Sequence, residues 1–171
     1  MRVLVTAASK HGSTAEIAVR IAEALRVGLA GDAVVDVRPA VEVADLTPYN
    51  AVVLGSAVYM GRWLEAARGL AQRIAAHPPR PVWMFSSGPI GDPPKPDEDP
   101  AEVSALVAAT GACGHRLFPG CLDRRRLGLA ERAMVAALRV ADGDFRDWDT
   151  IDSWGRQIAA ELGKPAEAVT S

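Results

Sequence analysis

Five short apolar runs alternate along the chain with segments in which apolar residues recur every three to four positions. Apolar runs without alternation are typical of strands covered on both faces, and the helical periodicity predicts the helices that cover them. The strands predicted in this way are residues 3–5, 33–37, 51–56, 81–86 and 116–121. The run at 51–56 is apolar up to its terminal Gly-Ser, which predicts a central place in the sheet.

Helices are predicted between these strands and after the last one. The first begins at Ser13, where Ser13 and Glu16 have capping-box spacing, and ends at Gly28 to Gly31. The second carries Leu64 to Ile74 and ends before two prolines. Further helices are predicted from Asp99 and Pro100 to Gly111, over 127–140, and along the Ile151 to Leu162 stripe, with a polar turn at 142–144 and an exposed, mobile loop at 88–100.

Strands and helices in this alternation predict an α/β fold with an open, doubly wound parallel sheet. The 171 residues, 49% hydrophobic and 23% charged, are expected to form a single domain over 1–171. A formal charge of −2 provides no cationic field for nucleic acid. Two cysteines, no apolar leader and no apolar stretch of spanning length lead us to expect a cytoplasmic protein.

Three loops follow the first, third and fourth strands and should open at one edge of the sheet, where such folds bind ligands. The first loop comprises Ser9, Lys10, His11, Gly12, Ser13 and Thr14. Its hydroxyls, its glycine and the helix behind it can surround a phosphate. The Walker and dinucleotide motifs are both missing from this loop, which favours a mononucleotide, although a turn that only caps the helix remains an alternative.

The second and third loops carry the side chains expected around a flat ligand. The second comprises Ala57, Val58, Tyr59, Met60 and Gly61, followed by Trp63, which we expect to pack on the next helix. The third comprises Ser86, Ser87, Gly88 and Pro89, whose small residues let the backbone approach a ligand edge or simply form a turn.

A group of cysteine and histidine residues and a run of arginines each have a structural interpretation as well as a functional one. Cys113, His115 and Cys121 could be read as metal ligands, but buried thiols are the preferred interpretation and no metal site is predicted. Arg124, Arg125 and Arg126 precede the apolar Leu127, Leu129, Met134 and Val135. Such a run usually forms a solvated face. Alternatively, it makes a peripheral contact with the inner face of a membrane or with an acidic partner.

The loop residues resemble those of the flavodoxin family. The resemblance rests on Ser9, Gly12 and Thr14 after the first strand, on the segment from Asp45 to Ser56, and on the small-residue loop after the fourth strand. It implies a five-stranded sheet in the order 2-1-3-4-5 and FMN as the cofactor. By this resemblance residues 9–14 would bind the phosphate, and residues 57–61 with 86–89 the isoalloxazine. His11 departs from the hydroxyl residue usual in the family.

Within that family the chain is most similar to the menaquinone-dependent protoporphyrinogen dehydrogenases. The likeness lies in the phosphate loop, in the glycines Gly55 and Gly61, and in an extra segment at about 123–148 before the last helix. It implies an FMN-dependent oxidoreductase with a small-molecule or quinone partner, in which the flavin carries the redox chemistry and no side chain is an acid or base. We expect the extra segment to serve a partner or substrate and to lie outside the three cofactor loops.

Two other functions remain open at this point. One is a flavodoxin-type electron carrier between protein partners, although carriers of this family tend to be more acidic than this chain. The other is a regulatory or scaffolding domain without a cofactor.

Overall fold

A computed structural model describes residues 1–88, 101–137 and 142–164 of the chain. The helices are α1 (Ser13–Gly28), α2 (Glu65–Ala76), α3 (Ala101–Thr110), α4 (Leu129–Ala137) and α5 (Trp148–Leu162). The strands are β1 (Arg2–Ala8), β2 (Val34–Pro39), β3 (Ala51–Tyr59), β4 (Arg62–Trp63), β5 (Val82–Ser87), β6 (Gly114–Phe118), β7 (Cys121–Leu122) and β8 (Gly143–Asp144). Single 3-10 turns lie at Ala40–Glu42 and Arg124–Arg126.

The main sheet has the order β2-β1-β3-β5-β6, and its neighbouring strands are parallel. This confirms the predicted order 2-1-3-4-5 of the five parallel strands. The short β4 adds an antiparallel pair with β3, which the sequence did not predict. β3 lies in the middle of the sheet, and its residues from Ala51 to Ala57 are buried, as its uninterrupted apolar run predicts.

The sheet separates two apolar cores. Alternate strand residues such as Val5, Val53 and Phe85 pack with α1 and α5, whereas Leu4, Val52 and Met84 pack on the other face with α2 and α3. The alternation follows from the period of two along a strand, which sends successive side chains to opposite faces. Both faces are therefore covered by helices. None of the described helices is both long enough and apolar enough to cross a membrane.

The contact between α1 and α5 depends on small residues. A Cβ atom added at Gly155 would lie 2.6 Å from the Cβ of Ala24, and one added at Gly28 would lie 2.6 Å from the Cβ of Ala159. Such a short distance leaves no room for a methyl group, so the two helices approach each other at the glycines.

The structure differs from the sequence prediction after β6. The predicted fifth strand at 116–121 is wrong in its bounds, because Pro119 separates β6 from β7. The predicted polar turn at 142–144 is also wrong in part, since Gly143 and Asp144 form β8 and pair with β7. The loop predicted at 88–100 and the helix start at Asp99 and Pro100 lie outside the described residues, except for Gly88. Residues 138–140 of the predicted fourth helix lie outside them as well.

We predict opposite stability effects for two helical glycines. Gly155→Ala should lower the free energy of unfolding by about 1–3 kcal/mol, because the new methyl group overpacks against Ala24. Gly69→Ala is the matched control, because nothing lies within 4 Å of its added Cβ. That change should stabilise the chain by about 0.5–1 kcal/mol through helix propensity. Urea unfolding of both variants checks the prediction, and a stabilised Gly155→Ala variant would contradict it.

Candidate cofactor site

The three loops open at the same edge of the sheet, as predicted. Ala8 at the end of β1 is in register with Ser56 of β3, and Ser56 is in register with Ser86 of β5. The chain segments that follow these three positions therefore leave the sheet side by side.

The first loop turns sharply into α1. The backbone N–H of Gly12 donates to the Ser9 hydroxyl over 3.1 Å, and Gly12 has a φ of 93°, a left-handed conformation that favours glycine. No side chain caps the helix at Gly12. The first N–H groups of a helix have no acceptor within the helix itself. The start of α1, with the buried Thr14 in its first turn, therefore presents backbone donors at the carboxyl edge of the sheet.

The capping box predicted for Ser13 and Glu16 is wrong. The Ser13 hydroxyl accepts a hydrogen bond from the backbone N–H of Cys121 instead, over 3.2 Å. The Glu16 carboxylate forms ion pairs with Arg146 at 2.6 Å and with Arg126 at 3.5 Å. The right spacing is present in the sequence, but these partners from a distant part of the chain hold both side chains.

The second predicted loop is a tight hairpin. Ala57, Val58 and Tyr59 belong to β3, and Met60 and Gly61 form the turn to β4 with φ angles of 50° and 72°. Positive φ at both central residues is typical of a two-residue hairpin turn whose twist matches its strands. Met60 at the tip is 92% exposed.

Trp63 anchors this hairpin to the sheet. It is buried with residues of α2, as expected from the sequence. Its indole Nε1 donates to the Ser86 hydroxyl over 2.9 Å, and the same hydroxyl lies 3.1 Å from His115 Nε2. Ser86 is fully buried, and its hydroxyl is engaged within the protein.

The third loop lies against the hairpin. A Cβ added at Gly88 would lie 3.2 Å from the Cβ of Val58, a tight contact that the glycine avoids. Ser87 is buried at the end of β5. Pro89, the last residue predicted in this loop, lies outside the described residues.

Two side chains of the first loop reach the hairpin. The Lys10 ammonium lies 5.1 Å from the centre of the Tyr59 ring, within the range of a cation–π contact. The His11 ring approaches the same tyrosine edge-on, with 6.3 Å between ring centres. The first and second predicted loops therefore meet at Tyr59, which is half-buried.

A carboxylate from α4 completes this cluster. Glu131 Oε1 accepts hydrogen bonds from Lys10 Nζ over 2.5 Å and from His11 Nε2 over 3.1 Å. Its other oxygen accepts the N–H of Gly128 over 2.9 Å, which fixes the carboxylate at the start of α4. The bonds from Lys10, Gly128 and His11 lower the pKa of Glu131 to about 2. Burial, followed by the charge of Glu131, raises the pKa of the Tyr59 hydroxyl.

The extra segment at 123–148 lies outside the three cofactor loops in the chain but packs on the first of them. Besides Glu131, Arg126 donates to the carbonyl of His11 over 3.1 Å. Arg146, whose side chain is 6% exposed, donates to the carbonyl of Ser13 over 3.2 Å and pairs with Asp144 and Glu16. Trp148 stacks on its guanidinium at 4.4 Å. These contacts buttress the loop from outside.

The arginine run lies on a solvated face, as expected, whereas the cysteines differ from expectation. Arg124 pairs with Asp142, Arg125 with Asp123, and Arg126 with Glu16, so each of the three has an acidic partner in the chain. Cys113 is exposed and Cys121 is partly buried, so the expectation of two buried thiols is wrong. Across 1–88, 101–137 and 142–164, no group of three or more His, Cys, Asp or Glu side chains could hold a metal ion.

Sequence reasoning did not single out Glu131 and Arg146, and it considered Arg126 and His115 only for other roles. Glu131 is the single acidic residue between Leu127 and Val140, and it stands three positions after Gly128, the spacing of a helix-start acceptor. That signal predicts the cap of α4 but not the contact with Lys10, which joins residues 121 positions apart.

We predict that the contribution of Glu131 to stability depends on acid pH. Its pKa is depressed from 4.5 to about 2, so its stabilisation is complete above 4.5 and is lost as the pH falls towards 2. For flavin-free protein, the original chain should be more stable than Glu131→Gln at pH 7 by less than about 1 kcal/mol, as for partly exposed pairs. Urea unfolding between pH 7 and 3 should show this difference shrinking below 4.5, and a constant difference would contradict the assignment.

Comparison with known proteins supports the same fold. The chain is similar to flavodoxin 1 from Bacillus cereus (12% identity, TM-score 0.63, covering 96% of this chain and 100% of that chain). It is also similar to a flavodoxin from Streptococcus pneumoniae TIGR4 (17% identity, TM-score 0.61, covering 95% and 97%). Rubredoxin:oxygen oxidoreductase from Desulfovibrio gigas matches at 14% identity and a TM-score of 0.62, covering 94% of this chain and 36% of that chain. The search of curated proteins found no match.

The sequence pattern of the flavodoxin domain matches residues 4–149, which is most of the chain. FMN is the cofactor of this family. The chain therefore belongs to the flavodoxin domain family.

Proposed function

We propose that this protein is an FMN-dependent oxidoreductase of the dehydrogenase type. In this proposal residues 9–14 hold the FMN phosphate, and residues 57–61 with 86–89 border the isoalloxazine ring. The observation that carries the proposal is the start of α1, which has no side-chain cap and lies beside the buried Thr14. Orphan backbone donors and the helix dipole at such a site favour a bound phosphate.

The donor set of the first loop fits a phosphate. Ser9 and Ser13 accept hydrogen bonds from backbone N–H groups, which leaves the hydrogen of each hydroxyl available to donate. Lys10 and His11 already hold one anionic group, the carboxylate of Glu131. A loop that lowers the pKa of a neighbouring carboxylate to about 2 stabilises negative charge, which is what a phosphate requires.

The residues around the hairpin fit a flat ring. Tyr59 is half-buried at the junction of the first and second loops, where an aromatic side chain can stack on a ring. Gly88 removes side-chain bulk next to Val58, so backbone lines that part of the edge. Bound FMN would supply electron transfer at this site, and the chain's own residues would orient it, limit its exposure and balance its phosphate charge.

The dehydrogenase assignment rests on the resemblance to the menaquinone-dependent protoporphyrinogen dehydrogenases and on the near-neutral charge of the chain. A formal charge of −2 gives little long-range attraction for a basic protein partner, which an electron carrier would need.

The electron carrier stays as a second candidate, because flavodoxins match this chain over nearly their whole length. In the first proposal a quinone or another small molecule is the redox partner. Contact with a membrane or an acidic partner through Arg124 to Arg126 is a further proposal.

Thr14→Ala should weaken FMN binding by roughly ten- to a hundredfold. A hydroxyl that donates to a dianionic phosphate contributes about 1.5–3 kcal/mol. Riboflavin has no phosphate, so its affinity should hardly change. Flavin fluorescence quenching with both ligands gives the FMN-to-riboflavin preference.

Thr14→Ser is the control for this measurement, because it keeps the hydroxyl and should keep most of the preference. If Thr14 only supports the helix start, Thr14→Ala should cost about 1 kcal/mol of stability with the preference unchanged. That outcome would contradict the assignment of the FMN phosphate to the Ser9 to Thr14 loop.

The dehydrogenase and carrier candidates differ in their behaviour with small molecules. FMN-loaded protein should couple the oxidation of protoporphyrinogen to the reduction of a soluble naphthoquinone under anaerobic conditions, faster than flavin-free protein or free FMN at the same concentration. Porphyrin fluorescence follows the product. A rate equal to that with free FMN would exclude the dehydrogenase proposal and favour a carrier.

A further inference from the structure

The carboxylate of Glu131 lies at the loop to which the proposed function assigns the FMN phosphate. Glu131 belongs to α4, whereas its partners Lys10 and His11 are the second and third residues of that loop. Its side chain is 23% exposed, so solvent screens the contact only in part. The bond from Gly128 to the second carboxylate oxygen ties Glu131 to the start of α4 and limits its freedom to move away.

Two anions would then share one pair of hydrogen-bond donors, the Lys10 ammonium and the His11 ring. A phosphate in the 9–14 loop and the carboxylate of Glu131 both gain from Lys10 and His11, and the two negative charges repel each other. Arg126 and Arg146 do not neutralise this repulsion, because both are engaged with other carboxylates. Arg126 pairs with Glu16 and Asp123, and Arg146 pairs with Glu16 and Asp144. The charge of Glu131 therefore acts against the phosphate but not against the uncharged parts of a flavin.

We propose that Glu131 is a specificity-determining residue of the cofactor site, which competes with the FMN phosphate for Lys10 and His11 and so limits the preference for FMN over riboflavin. The inference rests on the proposed function. It assigns to the extra segment a direct role in setting cofactor affinity. Glu131 is then an internal anion that the cofactor phosphate must displace or tolerate.

The test uses Glu131→Gln, which removes the charge and keeps the shape and the acceptor for Gly128. Affinities of the full chain for FMN and for riboflavin are measured after flavin removal, by fluorescence quenching at low salt and at about 0.5 M salt. Asp32→Asn is the control, because it makes the same charge change at an exposed position in the turn before β2, at the opposite edge of the sheet.

The expected result is an FMN-to-riboflavin preference about three- to tenfold higher in Glu131→Gln at low salt, the scale of a partly screened charge pair. The gain should shrink at high salt and should be missing from Asp32→Asn. If the original chain binds FMN more tightly than riboflavin, two results would overturn the inference. One is an unchanged or lower FMN-to-riboflavin preference in Glu131→Gln, and the other is an equal gain in Asp32→Asn. Failure of the original chain to bind FMN more tightly than riboflavin would instead overturn the proposed function, and the inference with it.

Discussion

The start of α1 is the feature on which the site depends. A helix cannot satisfy its own first N–H groups, and here Gly12 brings no side chain to them. The parallel sheet fixes where this happens, because β1 delivers the chain to the same edge at which β3 and β5 end. Burial of β1 and α1 in one core holds the loop between them. The unsatisfied backbone N–H groups thus favour a bound anion, and the packing of the sheet sets the position of the anion site.

The extra segment shapes this site from outside the parallel sheet. Arg146 bonds to Ser13, Arg126 bonds to His11, and Glu131 bonds to Lys10. Buttressing of this kind reduces the motion of a binding loop before the ligand arrives, which lowers the ordering cost of binding. Because one of the buttressing groups is a carboxylate, the same segment also changes the charge that a phosphate meets.

Most of the fold could be predicted from the sequence, because uninterrupted apolar runs and a 3.6-residue period are local signals. The strands β1, β3 and β5 and the helices α1, α2 and α5 follow directly from them. The hairpin after β3 was missed because its turn residues, Met60 and Gly61, are not a common turn pair. In the site, the 9–14 loop has a local signature of hydroxyls and glycine. The Glu131 contact does not, since it joins residues that only the tertiary fold brings together.

The assignment of the phosphate to the start of α1 can be tested most directly by comparing two complexes of the same protein. Amide proton and nitrogen shifts of the chain bound to FMN and to riboflavin differ only through the phosphate. The largest differences should fall on the backbone N–H groups of residues 13–15, because the N–H of Gly12 already donates to Ser9. Their amide protons should shift downfield through hydrogen bonds to the phosphate oxygens. Differences concentrated elsewhere, with the 13–15 amides unchanged, would contradict the assignment.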